Sequence, residues 1–346
     1  MGFPADSILA FFFFDHYNIE NAPEESEVTR MYDVTALGEL LIDFTCESTD
    51  ATGYPTMAAH PGGGPPNFLA ALSKFGAKTA LIAKVGTDAF GNLLKKTLLQ
   101  LGIDNSAVIC DDSVFTTLAF VTLDETGDRE FSFARKPGSD TQLKFEEVDL
   151  SYIDNARAFH FSTLSLTDEP SRSTTYRVVE YARAQGKLIH FDPNLRKPLW
   201  KSLEDAKAQM LWGLAHADVV KISDEEAEFL FGLAPEESAA YILAHFPVKL
   251  VLVTCGPGGV IFANQQAFGH TPALSGIQVV DTTGAGDIFG GSTLWQLLRS
   301  GKQPQDLTEA ELRNITKFAC TAAGLSTMKQ GGANSVPEME EILARL

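Results

Sequence analysis

From about residue 150 the chain settles into a rhythm in which short apolar runs at 158–161, 187–191, 218–222 and 250–254 are separated by segments of helical periodicity. Apolar runs without alternation suit strands buried on both faces, and a helical link returns each strand parallel to the last. The rhythm therefore predicts an α/β fold: a central, mostly parallel sheet flanked by helices on both faces, with ligands at the carboxyl ends of the strands.

The first half adds to this frame. A run at 32–38 closes on Gly38, a strand is predicted at 79–85, and an amphipathic helix at 89–101 ends at Gly102. Two β-rich runs, 115–123 and 129–134, flank Asp124-Glu125-Thr126-Gly127-Asp128 and read as a hairpin. With the stretch after Asp43 it predicts a small β lid built from segments at about 44–60 and 113–135. Residues 1–30, with Phe11 to Phe14 followed by Asn, Pro and Glu, keep no period and read as a disordered appendage; the folded unit is expected over 31–346. A chain of 346 residues suits one large α/β domain carrying such an insertion.

Composition narrows the function. Hydrophobic residues at 45% and charged residues at 21% are those of a packed core. A net charge of -18 without a basic stripe argues against a nucleic-acid partner. Cys46, Cys110, Cys255 and Cys320 form no CxxC or Cys/His cluster, so most are expected as buried thiols in a reducing cytoplasm. No apolar run approaches the ~20 residues of a membrane span, and the short one at 8–14 follows Asp6 rather than basic residues, unlike a signal peptide. The glycines of 86–92 have Walker A separation but lack the Lys and Ser/Thr that would follow, and the glycine clusters give no GxGxxG.

The chemistry concentrates at Asp281-Thr282-Thr283-Gly284-Ala285-Gly286-Asp287, which leads into an apolar helical segment at 288–298. Gly284 and Gly286 let backbone N–H groups converge on an anion, and the first turn of the following helix adds unpaired donors. Asp287 in that turn is placed to stay ionised and accept a proton. A phosphate cradle beside a carboxylate base predicts phosphoryl transfer.

This segment, with Ile288, Phe289, Gly290 and Gly291 after it, resembles the C-terminal signature of the PfkB (ribokinase-like) carbohydrate kinases. Pro61-Gly62-Gly63-Gly64-Pro65-Pro66-Asn67, followed by Ala70 and Ala71, resembles their N-terminal signature, and Asp192-Pro193-Asn194-Leu195-Arg196 with Leu199-Trp200 resembles the fructokinases. The resemblance spans about residue 32 to the C-terminus. It implies Asp287 as catalytic base and Gly284, Ala285 and Gly286 as the anion hole. It further implies Asp43, Gly63, Gly64, Asn67 and Arg135, together with Asp287, as sugar contacts. Arg196, Thr254, Gly256, Gly259, Gly331 and Asn334 would meet the nucleotide. Glu226 would reach Mg²⁺ through water, and Asp281 and Thr283 would border a monovalent cation such as K⁺.

Read from spacing alone, Ser223 and Glu226 form a helix capping box, and Pro337 starts the last helix. The reading is an ATP-dependent fructokinase making fructose 6-phosphate in the cytoplasm, a homodimer through its lid, with no membrane partner. 2-Keto-3-deoxygluconate or another sugar as substrate, or a sugar or nucleotide sensor without catalysis, are the alternatives.

Overall fold

The first apolar run lies at the centre of the fold. Strand β1 (Tyr32–Leu37) pairs in parallel on both sides, so Val34, Ala36 and Leu37 are fully buried, the environment an uninterrupted apolar run requires. The structure, a computed structural model, describes residues 31–123 and 129–346. The appendage expected at 1–30 and the hairpin turn at 124–128 lie outside the described residues.

The strands that follow are β2 (Leu41–Thr49), β3 (Pro55–Gly62), β4 (Thr79–Gly86), β5 (Ile103–Asp104), β6 (Val108–Asp111), β7 (Leu118–Leu123) and β8 (Arg129–Ala134). Then come β9 (Ala156–Ser162), β10 (Leu188–Asp192), β11 (Val219–Ser223), β12 (Leu250–Thr254), β13 (Val260–Asn264) and β14 (Phe268–Thr271). The large sheet runs β14-β13-β12-β11-β10-β9-β1-β4-β5, with β6 also on β4. Its pairings are parallel except at one edge, where β12, β13 and β14 form antiparallel hairpins. That edge departs from the expected alternation, because a tight turn needs no crossover helix.

The helices are α1 (Gly64–Lys74), α2 (Ala89–Gln100), α3 (Ser151–Asp154), α4 (Ser171–Ala184), α5 (Leu203–His216), α6 (Asp224–Phe231), α7 (Pro235–His245), α8 (Ala285–Ser300), α9 (Glu309–Ser326) and α10 (Met339–Leu343). They cover both faces of the sheet. On one side Leu69, Ile288, Leu294 and Phe318, from α1, α8 and α9, pack with Val34 and Ala36; on the other Val178, Ala206 and Ile242 pack with Leu37, Phe159 and Phe161. Such layering buries both sides of a parallel sheet.

The expected lid is the second sheet, ordered β3-β2-β7-β8. β2 and β7 pair in parallel at its centre and join two antiparallel hairpins. Residues 115–117 are not strand but a link, where the buried Thr116 hydroxyl bonds Asp88 and Thr117 bonds Asp140.

Other boundaries shift for local reasons. Helix α1 begins at Gly64 rather than Pro66, because Gly63 takes φ 114° as its N-cap. The last helix begins at Met339, since the Glu341 side chain accepts from the Glu338 N–H and makes Glu338 the cap; Pro337 precedes it. Of the cysteines only Cys320 is buried, while Cys110 is exposed and Cys46 and Cys255 are partly so. Among the described residues no helix is long and apolar enough to cross a membrane.

Candidate active site

The carboxyl ends of β1, β10 and β11 open into a cavity of about 520 Å³, roofed by Thr45, Cys46, His60, Val121 and Phe133 of the small sheet. Polar side chains gather there because backbone leaves each strand at its carboxyl end and no neighbouring strand shields it.

Asp287 stands at the third position of α8, and Gly284 caps the helix with φ 77°, a left-handed conformation that favours glycine. A Cβ on Gly284 would lie 3.0 Å from Gly332 Cα and 3.2 Å from Asn67 Nδ2. The loop is fixed from behind. Asp281 Oδ1 accepts from Thr283 N–H at 2.9 Å and its Oδ2 from Gly331 N–H at 2.9 Å, while Gly332 N–H donates to the Thr283 carbonyl at 3.0 Å. The first turn of α8 therefore starts from a rigid base, with Gly284, Gly286 and Asp287 lining the cavity and the Ala285 N–H donating to the Thr282 carbonyl at 3.2 Å.

The Asp287 carboxylate is held from both sides. Asn67 Nδ2 donates to Oδ2 at 3.0 Å and Asn194 Nδ2 to Oδ1 at 3.2 Å. Asn194 sits at φ 45°, an uncommon conformation for a side-chain-bearing residue. Burial raises the Asp287 carboxyl above the usual range, opposed by Asn67, Lys221 and Arg196. Desolvation thus works against the helix N-terminus, which alone favours the charged form. Asn67 Oδ1 is buried without a partner among the described residues, an acceptor left for a donor on a ligand.

Glu39 follows β1 and was not singled out by the sequence, which offers no motif around it. Its Oε1 accepts from Gly64 N–H at 2.7 Å, and burial pushes its carboxyl up to about 7. Because the folded pKa exceeds that of the unfolded chain, the ionised group costs stability, and the cost grows as pH rises from about 4.5 through 7. Glu39→Gln keeps an acceptor for Gly64 and removes that charge. Its melting free energy should exceed the parent's by on the order of 2 kcal/mol at pH 8 and match it near pH 4; equal melting at both pH values would contradict this.

Asp43, on β2, is pushed up to about 6 by burial, with Arg196 opposing and Asp281 adding to the rise. Lys221 Nζ bonds both Asp192 oxygens, at 3.3 and 3.1 Å. Ser223 caps α6 as expected, and Glu226 returns its Oε2 to Ser223 N–H at 2.9 Å while Oε1 accepts from Leu195 N–H at 2.7 Å.

The cavity brings together Asp43, Gly63, Gly64, Asn67 and Asp287 from the expected sugar contacts, and Arg196, Glu226, Asp281, Thr283, Gly284, Gly286 and Gly331 from the other sets. Ala285, Thr254, Gly256, Gly259 and Asn334 lie outside its lining. Thr254 pairs with Ser223 across β11 and β12, one strand from the cavity. Arg135, an expected sugar contact, also lies outside that lining. Its guanidinium is spent on Asp140 Oδ2 (2.6 and 2.8 Å), Thr167 Oγ1 (2.8 Å) and the carbonyl of Leu164 (3.0 Å). Leu164 lines the cavity and Arg135 lies behind it.

A family model described as pfkB family carbohydrate kinase matches residues 31–339. Fructokinase-1 of Zea mays is 38% identical over 313 residues, covering 90% of this chain and 96% of the relative. The structure of fructokinase from Xylella fastidiosa with bound ATP superposes with a TM-score of 0.82 at 28% identity, covering 90% of this chain and 97% of that one. Fructokinase from Vibrio cholerae, bound to fructose, ADP and calcium ion, gives a TM-score of 0.80 at 29% identity over 92% and 99%.

Proposed function

The chain belongs to the pfkB family of carbohydrate kinases and is a sugar phosphotransferase acting on a hydroxyl group, and from that premise we propose that it transfers the γ-phosphoryl group of ATP to the 6-hydroxyl of fructose. The observation that carries the mechanism is the Asp287 carboxylate, held by two amides at the amino end of α8 inside the cavity. Asp287 takes the hydroxyl proton as the sugar oxygen bonds to the γ-phosphorus. The bond from phosphorus to the β,γ-bridging oxygen breaks, and its electron pair leaves on ADP. N–H groups of Gly284 and Gly286 stabilise the charge on the transferring group, joined by that of Ala285 once it leaves the Thr282 carbonyl.

Asp43, Gly63, Gly64 and the free acceptor of Asn67 hold the sugar hydroxyls, and the small sheet covers them and excludes water. Arg135 acts here by fixing Leu164. The nucleotide extends past Arg196 and Gly331 toward the turn carrying Thr254, Gly256 and Gly259, with Asn334 at the adenine side. The small sheet is also the surface through which two copies would pair.

Among the described residues no three acidic, His or Cys side chains form a metal cage, and both Glu226 oxygens are engaged by backbone N–H groups. That set fits Mg²⁺ carried on phosphate oxygens and reached from Glu226 through water. When bound, Mg²⁺ would neutralise charge on the phosphates. Asp281 and Thr283, locked against Gly331, fit the border of a K⁺ site.

The test is ADP release with ATP and Mg²⁺ against fructose, 2-keto-3-deoxygluconate, ribose, tagatose and adenosine. Turnover on fructose well above the others is expected. Preference for another sugar would replace the substrate, and silence on all with sugar still bound would remove the catalytic reading.

A further inference from the structure

A buried lysine at the anion loop has no place in the mechanism above. Lys221 projects from β11 into the cavity lining, with 8% of its side chain exposed. Asp192, at the end of the neighbouring strand, is its bonded partner. A Cβ built on Gly286 would stand 3.0 Å from Lys221 Nζ, with Cε at 3.5 Å. The ammonium thus rests against the bare α-carbon of Gly286, the last of the three anion-loop residues. Glycine at 286 gives the charge access to that face.

The charges around it are arranged to keep the proton on nitrogen. Burial alone would lower the pKa of Lys221, but Asp192, Glu226 and Asp287 raise it above its ordinary value. His190, two residues before Asp192 on β10, is pushed down to about 3 by burial and by Lys221, so it stays neutral. An ammonium has three donors and no acceptor. Charge spreads over the equatorial oxygens of a phosphoryl group in flight, which is where a fixed cation in a water-poor cavity acts most strongly.

We propose that Lys221 is a catalytic residue whose ammonium, steadied by Asp192, contacts the transferring phosphoryl group from the side of Gly286. The proposal rests on the phosphotransfer reading of the site. It assigns to Asp192 a positioning role: its carboxylate fixes Nζ and also accepts from Asn194 N–H at 3.1 Å, so one group places both the cation and a partner of the base.

Three variants separate this from a structural ion pair: Lys221→Met, Asp192→Asn, and the two combined, which removes both charges and leaves neither unpaired. Each is measured for turnover with ATP, Mg²⁺ and fructose, and for the tightening of ADP binding by aluminium fluoride, a mimic of the phosphoryl group in transfer. Lys221→Met and the double variant should lose about 10²–10³-fold in kcat. Their KM values should stay within a few-fold, and the aluminium fluoride effect should vanish. Asp192→Asn should keep turnover within about tenfold, because the ammonium remains. Recovery of turnover in the double variant, or retained tightening, would overturn the proposal. So would an Asp192→Asn variant as slow as the double, or no tightening in the parent. A parent silent on every sugar, yet showing tightening that Lys221→Met abolishes, would sink the kinase reading and keep the lysine's role.

Discussion

Asp287→Asn is expected to fold and to bind sugar as the parent does, and to lose about 10³–10⁴-fold in kcat. The substitution keeps the size of the side chain, and its single carbonyl oxygen can still accept from Asn67 or from Asn194. It cannot take a proton. Because burial raises the Asp287 carboxyl, the parent's kcat/KM should climb with pH as that group ionises in the free enzyme. The variant's residual rate should lack that limb. Steady-state kinetics across pH, with sugar affinity measured separately by calorimetry, checks both statements. Near-normal turnover would remove Asp287 as the base.

Gly291→Ala is expected to cost about 3 kcal/mol of stability and more than tenfold in kcat/KM. A Cβ on Gly291 would come within 2.3 Å of the Phe68 carbonyl oxygen and 3.1 Å of Ala71 Cβ. The nearest obstacle is backbone, so α1 must back away from α8. Those helices carry Asn67 and Asp287, and separating them stretches the 3.0 Å bond that holds the carboxylate. Gly290→Ala is the control. Its Cβ would meet nothing nearer than the Phe68 ring at 3.4 Å, so its effect should stay below about 1 kcal/mol. Thermal unfolding of both variants decides the matter, and equal losses would show that helix contact is not the cause.

The sequence made this site legible where the chemistry is local. The turn at 284–287 and the capping box at Ser223 each lie within a few consecutive residues, so their local form follows from spacing. Glu39 and Lys221 were opaque because their partners are distant in the chain: Glu39 meets Gly64 of α1, and Lys221 meets Asp192 only when β10 and β11 pair. The partners of Arg135 were hidden for the same reason: nothing in its neighbourhood reveals Thr167 and Leu164, which lie some thirty residues on and take up its donors. The parallel core was read correctly because strands buried on both faces need apolar runs without alternation. The edge strands β13 and β14 do not continue that rhythm, since an antiparallel hairpin is set by its turn rather than by any period.

The parallel pairing of β2 with β7 carries a consequence for the order of folding. Phe44 lies opposite Phe120 in that pair, and the intervening chain must first lay down β4 beside β1. Closing so long a segment costs entropy that only an already formed sheet can offset. The small sheet should therefore gain protection from hydrogen exchange after the centre of the large one. A nascent chain ending before β7 would hold α1 but no enclosed cavity, so phosphotransfer competence would emerge as a late property of the maturing molecule.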